Sequence, residues 1–123
     1  MFKVGQRVWV KPSKQFGKVE EYRVLGQYIV DGSNFHFRDL HETADDMFER
    51  LGYERDNDAP YGFISYSKIL KNGDKHYVTF RLEEKQYVIG LMIPKVPNAF
   101  VDWADTQHHN AIHQKLIELG WIE

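Results

Sequence analysis

The chain has 123 residues, 42% of them hydrophobic, and a formal net charge of −2, a composition typical of one small globular domain or two very small ones. It contains no cysteine, so disulfides, thiolate metal sites and cysteine nucleophiles are excluded, and a cytoplasmic location is expected. The N-terminal segment MFKVGQRVWVKP lacks the apolar stretch of a signal peptide, and no run approaches the ~20 apolar residues of a spanning helix. We therefore expect neither export nor membrane insertion.

The charges are unevenly distributed along the chain. Residues 1–40 carry seven basic and four acidic side chains, a net charge of +3, and because the whole chain carries −2, residues 41–123 carry −5. The first eighteen residues contain five cations and no acid. An asymmetry of this kind bears on the partners of the protein more than on its fold.

Residues 1–41 are predicted to form a small β module. In FKVGQRVWV, apolar residues alternate with basic or aromatic ones, which predicts a strand with an apolar face (Val4, Val8, Val10) and a basic face (Lys3, Arg7, Trp9). GKVEEYRVLG, QYIVDG and NFHFRDL are three further candidate strands, separated by turn residues. Strands this short must curl into a small barrel or pack on the rest of the chain.

This segment resembles the SH3-like barrels of the KOW and Tudor type. The residues that carry the resemblance are the opening VGQRVWV, Gly17 at the start of GKVEEY, the YIVDG strand and the closing NFHFRDLHE. The resemblance implies a binding module rather than a catalyst.

Residues 42–123 are predicted to form an αβββα module, which makes the whole an α+β protein. Thr43 is a favourable N-cap for a helix that ends at Gly52, and a second helix ends at Gly120 with Trp121 folding back on it. Between them we predict a three-stranded antiparallel meander: YGFISYSK, a turn at Asn72-Gly73, HYVTFRL and QYVIGLMI. The last of these strands is apolar enough to be central in its sheet.

The second module is similar to a group of small, uncharacterised phage and prophage proteins of Gram-positive hosts. TADDMFERLGYE opens the module and AIHQKLIELGW closes it. The resemblance suggests a phage or prophage gene and brings no activity with it.

Three histidines lie close together near the C-terminus: His108, His109 and His113. HNAIH has the spacing of the zinc-protease motif HExxH, but Asn110 stands where that chemistry needs a glutamate base. It also resembles the closing helix of HNH nucleases, although the stretch before it supplies no further histidine. A metal site needs a third ligand, and the remaining histidines (His36, His41, His76) are predicted on other elements. We therefore expect these residues to flank a helix whose buried face is Ile112, Leu116 and Leu119.

No nucleophile elbow, phosphate-binding loop or dinucleotide fingerprint is present, and adjacent acids such as Glu83 and Glu84 point to opposite faces of a strand. Enzyme is therefore the class that the residues favour least. We expect no catalytic residue, no metal ligand and no cofactor.

The basic N-terminal face is the best candidate for a binding surface. Cations that contact phosphates, together with an aromatic ring that stacks on bases, suit a sequence-tolerant binder of RNA or single strands. The predicted nucleic-acid-binding residues are Lys3, Arg7, Trp9, Lys11, Lys14, Lys18 and Arg38, with His36 adjoining them. The alternative for Trp9 is burial, which is usual for large aromatic residues and would leave the lysines a role in solubility.

A second hypothesis is a protein-interaction module that docks on a host or phage protein, with no nucleic-acid binding and no catalysis. Its anchors would be tyrosines on a sheet that helices cover on one face only. The predicted anchors are Tyr61, Tyr66, Tyr77 and Tyr87.

Overall fold

The computed structural model describes residues 2–71, 73–92 and 106–122. They form an α+β protein with two antiparallel sheets and two helices. The chain divides into two compact units, the first comprising Met1–Met47 and Gln114–Glu123 and the second Phe48–His113. The predicted modules divide the chain between residues 41 and 42, whereas in the structure residues 114–123 group with the N-terminal sheet.

The first unit contains a five-stranded sheet with the strand order β4-β3-β2-β1-β5. A turn at Val24–Gly26 connects β2 to β3, and a 3-10 turn at Phe37–Asp39 connects β4 to β5. The predicted strand NFHFRDL is therefore two strands separated by this 3-10 turn. In the described residues β4 and β5, at the two ends of the sheet, do not pair, so the sheet is open. The strands are β1 Arg7–Val10, β2 Gln15–Arg23, β3 Gln27–Val30, β4 Ser33–His36 and β5 Leu40–Glu42.

The core of the first unit lies on one face of this sheet. Phe2 and Phe35 pack against it, and its buried members are Val8, Val10, Val19, Tyr28, Val30 and Leu40. The prediction that Val4 belongs to this apolar face is wrong, because its side chain is 68% exposed. Gly5, with φ +89°, interrupts the extended backbone just before β1 begins at Arg7.

The second unit contains a four-stranded sheet with the order β6-β7-β8-β9. Ile69 pairs with Lys75, so the hairpin loop spans residues 70–74, where the sequence predicts a turn; Asn72 of that turn lies outside the described residues. Ile93, the last residue of the third predicted strand, also lies outside them. The strands are β6 Glu54–Arg55, β7 Phe63–Ile69, β8 Lys75–Arg81 and β9 Gln86–Met92.

The prediction that QYVIGLMI is a central strand is wrong for the part of the chain that the structure describes, where β9 is the outermost strand. An apolar run indicates that both faces of a strand are buried. It does not indicate whether the strand is central or outermost in its sheet. Ile89 is half-buried, Gly90 is buried, and the ring of Tyr77 lies so close to Gly90 that a Cβ there would be 2.2 Å from its Cζ.

One face of the second sheet packs on Phe48. The Phe48 ring stacks on Tyr66, with centroids 4.1 Å apart and an interplanar angle of 16°, and meets Phe80 edge-on. Val78 and Phe80 are fully buried on this face, as their alternation in HYVTFRL predicts.

The two helices are α1 Ala44–Arg50 and α2 Thr106–Glu118. Thr43 is the N-cap of α1 as predicted, since its Oγ1 accepts a hydrogen bond from the Asp46 N–H at 3.2 Å. Both helices end in a Schellman motif with a glycine at positive φ, Gly52 (+94°) and Gly120 (+75°). Among the described residues, neither helix is long and apolar enough to cross a bilayer.

Candidate functional site

Trp9 is buried, with 5% of its surface exposed. Its cross-strand neighbours are Phe16 on β2 and His41 on β5, and the indole meets the Phe16 ring edge-on at a centroid distance of 5.0 Å. The expectation that Trp9 stands outward beside the cations is therefore wrong, and the alternative of burial holds. As predicted, Trp9 lies on the opposite face of β1 from Val8 and Val10. The sheet is also covered at Trp9 on this face, so the indole is not available to stack on a base.

The six predicted cations are all exposed, and the fold places them in two groups. Arg7 and Lys18 are directly opposite each other on β1 and β2, and the Arg7 guanidinium lies 3.9 Å from the centre of the Phe16 ring. Backbone bonds of Gly5 and Gln6 to Val19 hold the N-terminal segment beside the same end of β2. Lys3, Arg7 and Lys18 form what we call the first cation group.

The second cation group, Lys11, Lys14 and Arg38, lies at the other end of β1. Lys11 and Lys14 belong to the turn between β1 and β2, and the Lys11 N–H donates to the Asp39 carbonyl at 2.8 Å. This bond ties the β1–β2 turn to the 3-10 turn that carries Arg38. Lys11 is four positions after Arg7 in the chain, so the two groups are roughly 13 Å apart at the spacing of a strand.

Phe37 is an exposed aromatic residue in the 3-10 turn that carries Arg38, and its exposure is hard to predict from the sequence. Alternation along NFHF would place Phe35 and Phe37 on one face, but β4 ends at His36 and Phe37 is 56% exposed. Strand periodicity cannot show where a strand ends; Asp39, a residue type depleted in strands, is the only local hint.

A buried cluster in the second unit joins Tyr53, His76 and His108. The Tyr53 hydroxyl is in hydrogen-bond contact with Nδ1 of His76, and it lies 2.7 Å from Nε2 of His108. A hydroxyl donates one hydrogen bond and accepts others, so the Tyr53 hydroxyl can donate to one of these ring nitrogens and accept from the other. The pKa of His76 is lowered, first by burial and then by the nearby charges of His108 and Lys68.

The geometry of this cluster is that of a hydrogen-bond chain. Two ligands on a tetrahedral zinc ion are about 3.3 Å apart, whereas the Tyr53 oxygen and the His108 nitrogen are 2.7 Å apart. In the described part of the chain no group of three histidine or acidic side chains is arranged to hold a metal ion. Sequence reasoning missed the cluster because its members come from three separate elements.

The C-terminal histidines do not share one environment. His109 and His113 are exposed on α2, with ring centroids 6.1 Å apart, while His108 is buried. The buried residues of α2 differ from the predicted Ile112, Leu116 and Leu119, of which only Ile112 is buried. Among residues 108–118 of this helix, whose burial the structure describes, the buried ones are His108, Ala111, Ile112, Gln114 and Lys115.

Polar partners explain why α2 buries polar side chains. The Gln114 amide donates to Glu118 Oε2 at 3.1 Å, and the Lys115 ammonium lies 3.8 Å from the Glu118 carboxylate and 3.9 Å from that of Asp45. Periodicity counts apolar residues, so it cannot find a buried face whose polar groups are satisfied by one another and by a residue of another element.

The four predicted docking tyrosines differ in how exposed their side chains are. Tyr61 is fully exposed and Tyr87 is 45% exposed, but Tyr77 is half-buried over Gly90. Tyr66 is buried under Phe48, so its prediction as an exposed anchor is wrong. It lies on the face of β7 that packs on Phe48.

Comparison of the chain with protein-family models, with curated protein sequences and with solved structures gives no match. The resemblances to SH3-like barrels and to phage proteins therefore rest on the residues quoted above.

Proposed function

We propose that this chain is an accessory binding protein of the phage type that contacts nucleic acid through the exposed cations of its N-terminal sheet. The observation that carries the proposal is that Lys11, Lys14 and Arg38 are exposed on two turns that the bond from Lys11 to Asp39 joins. Cations that are exposed and held on separate loops of one sheet can each reach a phosphate of the same chain. The net charge of +3 on residues 1–40 supports the same partner.

We further propose that the N-terminal sheet is a module of the SH3-like type. Its short strands, the return of β5 to the side of β1 and the 3-10 turn before β5 support this proposal. The phage assignment is supported by the TADDMFERLGYE and AIHQKLIELGW segments alone.

Fluorescence anisotropy with labelled oligonucleotides at low salt tests the proposed binding. The triple variant Lys11→Ala, Lys14→Ala, Arg38→Ala removes the second cation group. For a single strand each phosphate contact contributes about 0.7 to the slope of log affinity against log salt, so the variant should reduce that slope by about 2.

A matched control removes three cations of the second unit: Arg55→Ala, Lys71→Ala and Lys85→Ala. Each triple loses the same charge and includes one lysine at positive φ, Lys14 (+53°) or Lys85 (+55°). The control should bind like the intact protein. Absence of binding by the intact protein, or equal loss in both triples, would remove the proposal.

The second candidate function is docking on a host or phage protein. Val24 and Leu25, 76% and 87% exposed, favour it, because contacts to phosphates alone do not require apolar side chains on the surface. Nuclease treatment of a host lysate before a pull-down separates the two functions: a partner that is retained after nuclease, identified by mass spectrometry and lost in Leu25→Ser, favours docking.

A further inference from the structure

Phe37 presents an aromatic ring that rests on backbone. Its ring lies directly on Gly26, where an added Cβ would be 2.8 Å from Phe37 Cδ1. Gly26 has φ +74° and closes the turn between β2 and β3, so a residue without a side chain makes room for the ring. More than half of Phe37 nevertheless remains exposed.

His36 holds this ring and a cation side by side. The His36 and Phe37 rings are 4.4 Å apart between centroids, inclined by 38°. The same imidazole accepts at Nδ1 from the backbone N–H of Arg38 at 3.2 Å and from its Nε–H at 3.1 Å. The guanidinium and the aromatic ring are thus positioned before any ligand arrives, which lowers the ordering cost of binding.

The turn Val24–Gly26 adds apolar surface beside Phe37. Leu25 occupies the left-handed region, with φ +61° and ψ +36°, a conformation that leucine rarely adopts. Its side chain is 87% exposed, so this strained backbone is not compensated by burial of the leucine. Residues held in sparsely populated backbone regions cluster at active sites, ligand clamps and switch regions.

We propose, resting on the proposed nucleic-acid binding, that the ligand is single-stranded and that an unpaired base stacks on Phe37 while Arg38, Lys11 and Lys14 contact the phosphates beside it. The bases of a duplex are already stacked on each other, so their faces cannot reach a surface ring. An exposed aromatic ring among cations therefore selects single strands, and it does so without reading sequence. Phe37 takes the stacking role that the buried Trp9 cannot fill.

The charges on this surface agree with a polyanionic ligand. The second cation group presents three exposed cations, whereas Asp39, the acid of the same 3-10 turn, is half-buried. The first cation group lies roughly 13 Å farther along β1, a distance that a few nucleotides span. We expect a short strand to run from Phe37 towards Arg7 and Lys18.

The test compares three labelled ligands of equal length by fluorescence anisotropy: oligothymidylate, a strand of abasic sites with the same phosphates, and a duplex. Stacking of one base on an aromatic ring changes affinity about 5- to 100-fold. Phe37→Ala should weaken oligothymidylate binding by such a factor, leave abasic and duplex binding unchanged, and keep the salt slope. Phe37→Tyr should restore binding, and Phe37→Leu should not.

Tyr61→Ala is the matched control, because it removes a fully exposed aromatic ring from the second unit. It should leave all three affinities unchanged, and circular dichroism should show that every variant is folded. Equal binding of all three ligands, with no effect of Phe37→Ala, overturns single-strand stacking and leaves phosphate binding intact. Binding of none of them by the intact protein overturns the proposed function itself, and a protein partner lost in Phe37→Ala would then assign this surface to docking.

Discussion

The exposure of Trp9 and Phe37 is decided by the backbone around each residue. Trp9 lies inside β1, which pairs with β2 on one side and with β5 on the other. Its cross-strand neighbours are Phe16 and His41, and its side chain is buried. Phe37 follows the last residue of β4, where the chain turns into a 3-10 conformation and directs the ring away from the core. For these two residues, the end of a strand therefore decides which aromatic ring is exposed.

Trp9→Ala should reduce the free energy of unfolding by about 3–5 kcal/mol, because it leaves a cavity where a buried indole was. Trp9→Phe should reduce the free energy of unfolding by a smaller amount. Urea unfolding followed by circular dichroism measures both. The folded fraction of either variant should bind oligothymidylate like the intact protein, and weaker binding comparable to that of Phe37→Ala would show that Trp9 has a direct role.

His76 should make the second unit less stable in mild acid. Its pKa is lowered from 6.5 in the folded state by burial and by the charges of His108 and Lys68. As the pH falls below 6.5 the unfolded chain takes up the proton first, so the free energy of unfolding decreases until the folded pKa is reached. Amide hydrogen exchange of β8 at pH 7.5 and pH 5.5 would record this loss.

The variants His76→Asn and His113→Gln distinguish this effect from general acid sensitivity. The first replaces the buried imidazole and keeps a polar atom near the Tyr53 hydroxyl; the second changes an exposed imidazole of α2. The loss of exchange protection in β8 between pH 7.5 and pH 5.5 should be smaller in His76→Asn than in the intact protein and unchanged in His113→Gln. An NMR titration of intact protein in which His76 titrates at or above 6.5 would contradict the prediction.

At the scale of elements, the end of α1 positions the buried hydroxyl. The Schellman motif at Gly52 uses bonds from the Gly52 N–H to the Glu49 carbonyl and from the Tyr53 N–H to the Phe48 carbonyl, both 2.9 Å long. The residue after the glycine packs on the helix, and here the Tyr53 ring meets Phe48 edge-on at 5.7 Å. A capping glycine thereby directs Tyr53 to the two histidines.

Gly52→Ala should lower the free energy of unfolding by about 1–2 kcal/mol, because alanine resists the φ of +94° at this position. Gly52→Asn is the control, since asparagine tolerates the left-handed region and should cost less. Thermal unfolding of the two variants measures the difference. Equal stability of the alanine and asparagine variants would show that the left-handed conformation is not needed there.

Glu118 gives the first unit a pH dependence of the opposite sign. Its carboxylate accepts from the Ala44 N–H at 2.7 Å and from Gln114, and burial raises its pKa above 4.5 despite these bonds and the nearby Lys115. The folded state therefore keeps the proton longer, so stability decreases as the pH rises from 4.5 through the folded pKa. Glu118→Gln should remove this dependence, as read from hydrogen exchange at Ala44; an unchanged pH profile would contradict it.

The capping residues of the helices and the apolar alternation of the strands were predictable from the sequence. The contacts that each element makes with other elements were not. Thr43, Gly52 and Gly120 cap the helices as their residue types indicate, and the Val78 and Phe80 alternation marks a half-buried strand. The burial of Trp9, by contrast, depends on contacts that one strand's alternation does not specify. The Tyr53 cluster joins three elements, and no pattern local to one of them reveals it.

For the whole molecule, the local arrangement of the cations matters more than the net charge of either unit. Residues 1–40 carry +3, but the first unit also contains residues 41–47 (−3) and 114–123 (−1), so both units carry −1. We therefore expect attraction of the proposed nucleic-acid ligand to come from the exposed cation groups themselves. Because these long-range forces act through water, raising the salt concentration should weaken the attraction steeply.

The most direct test of binding at the second cation group is an NMR titration of the isotope-labelled protein with oligothymidylate at low salt. We predict that the amides of Lys11, Gly26, Phe37 and Arg38 shift and saturate together, and that the shifts diminish as salt is added. Shifts confined to the second sheet, or no shift at any oligonucleotide concentration that the experiment reaches, would contradict nucleic-acid binding by this surface.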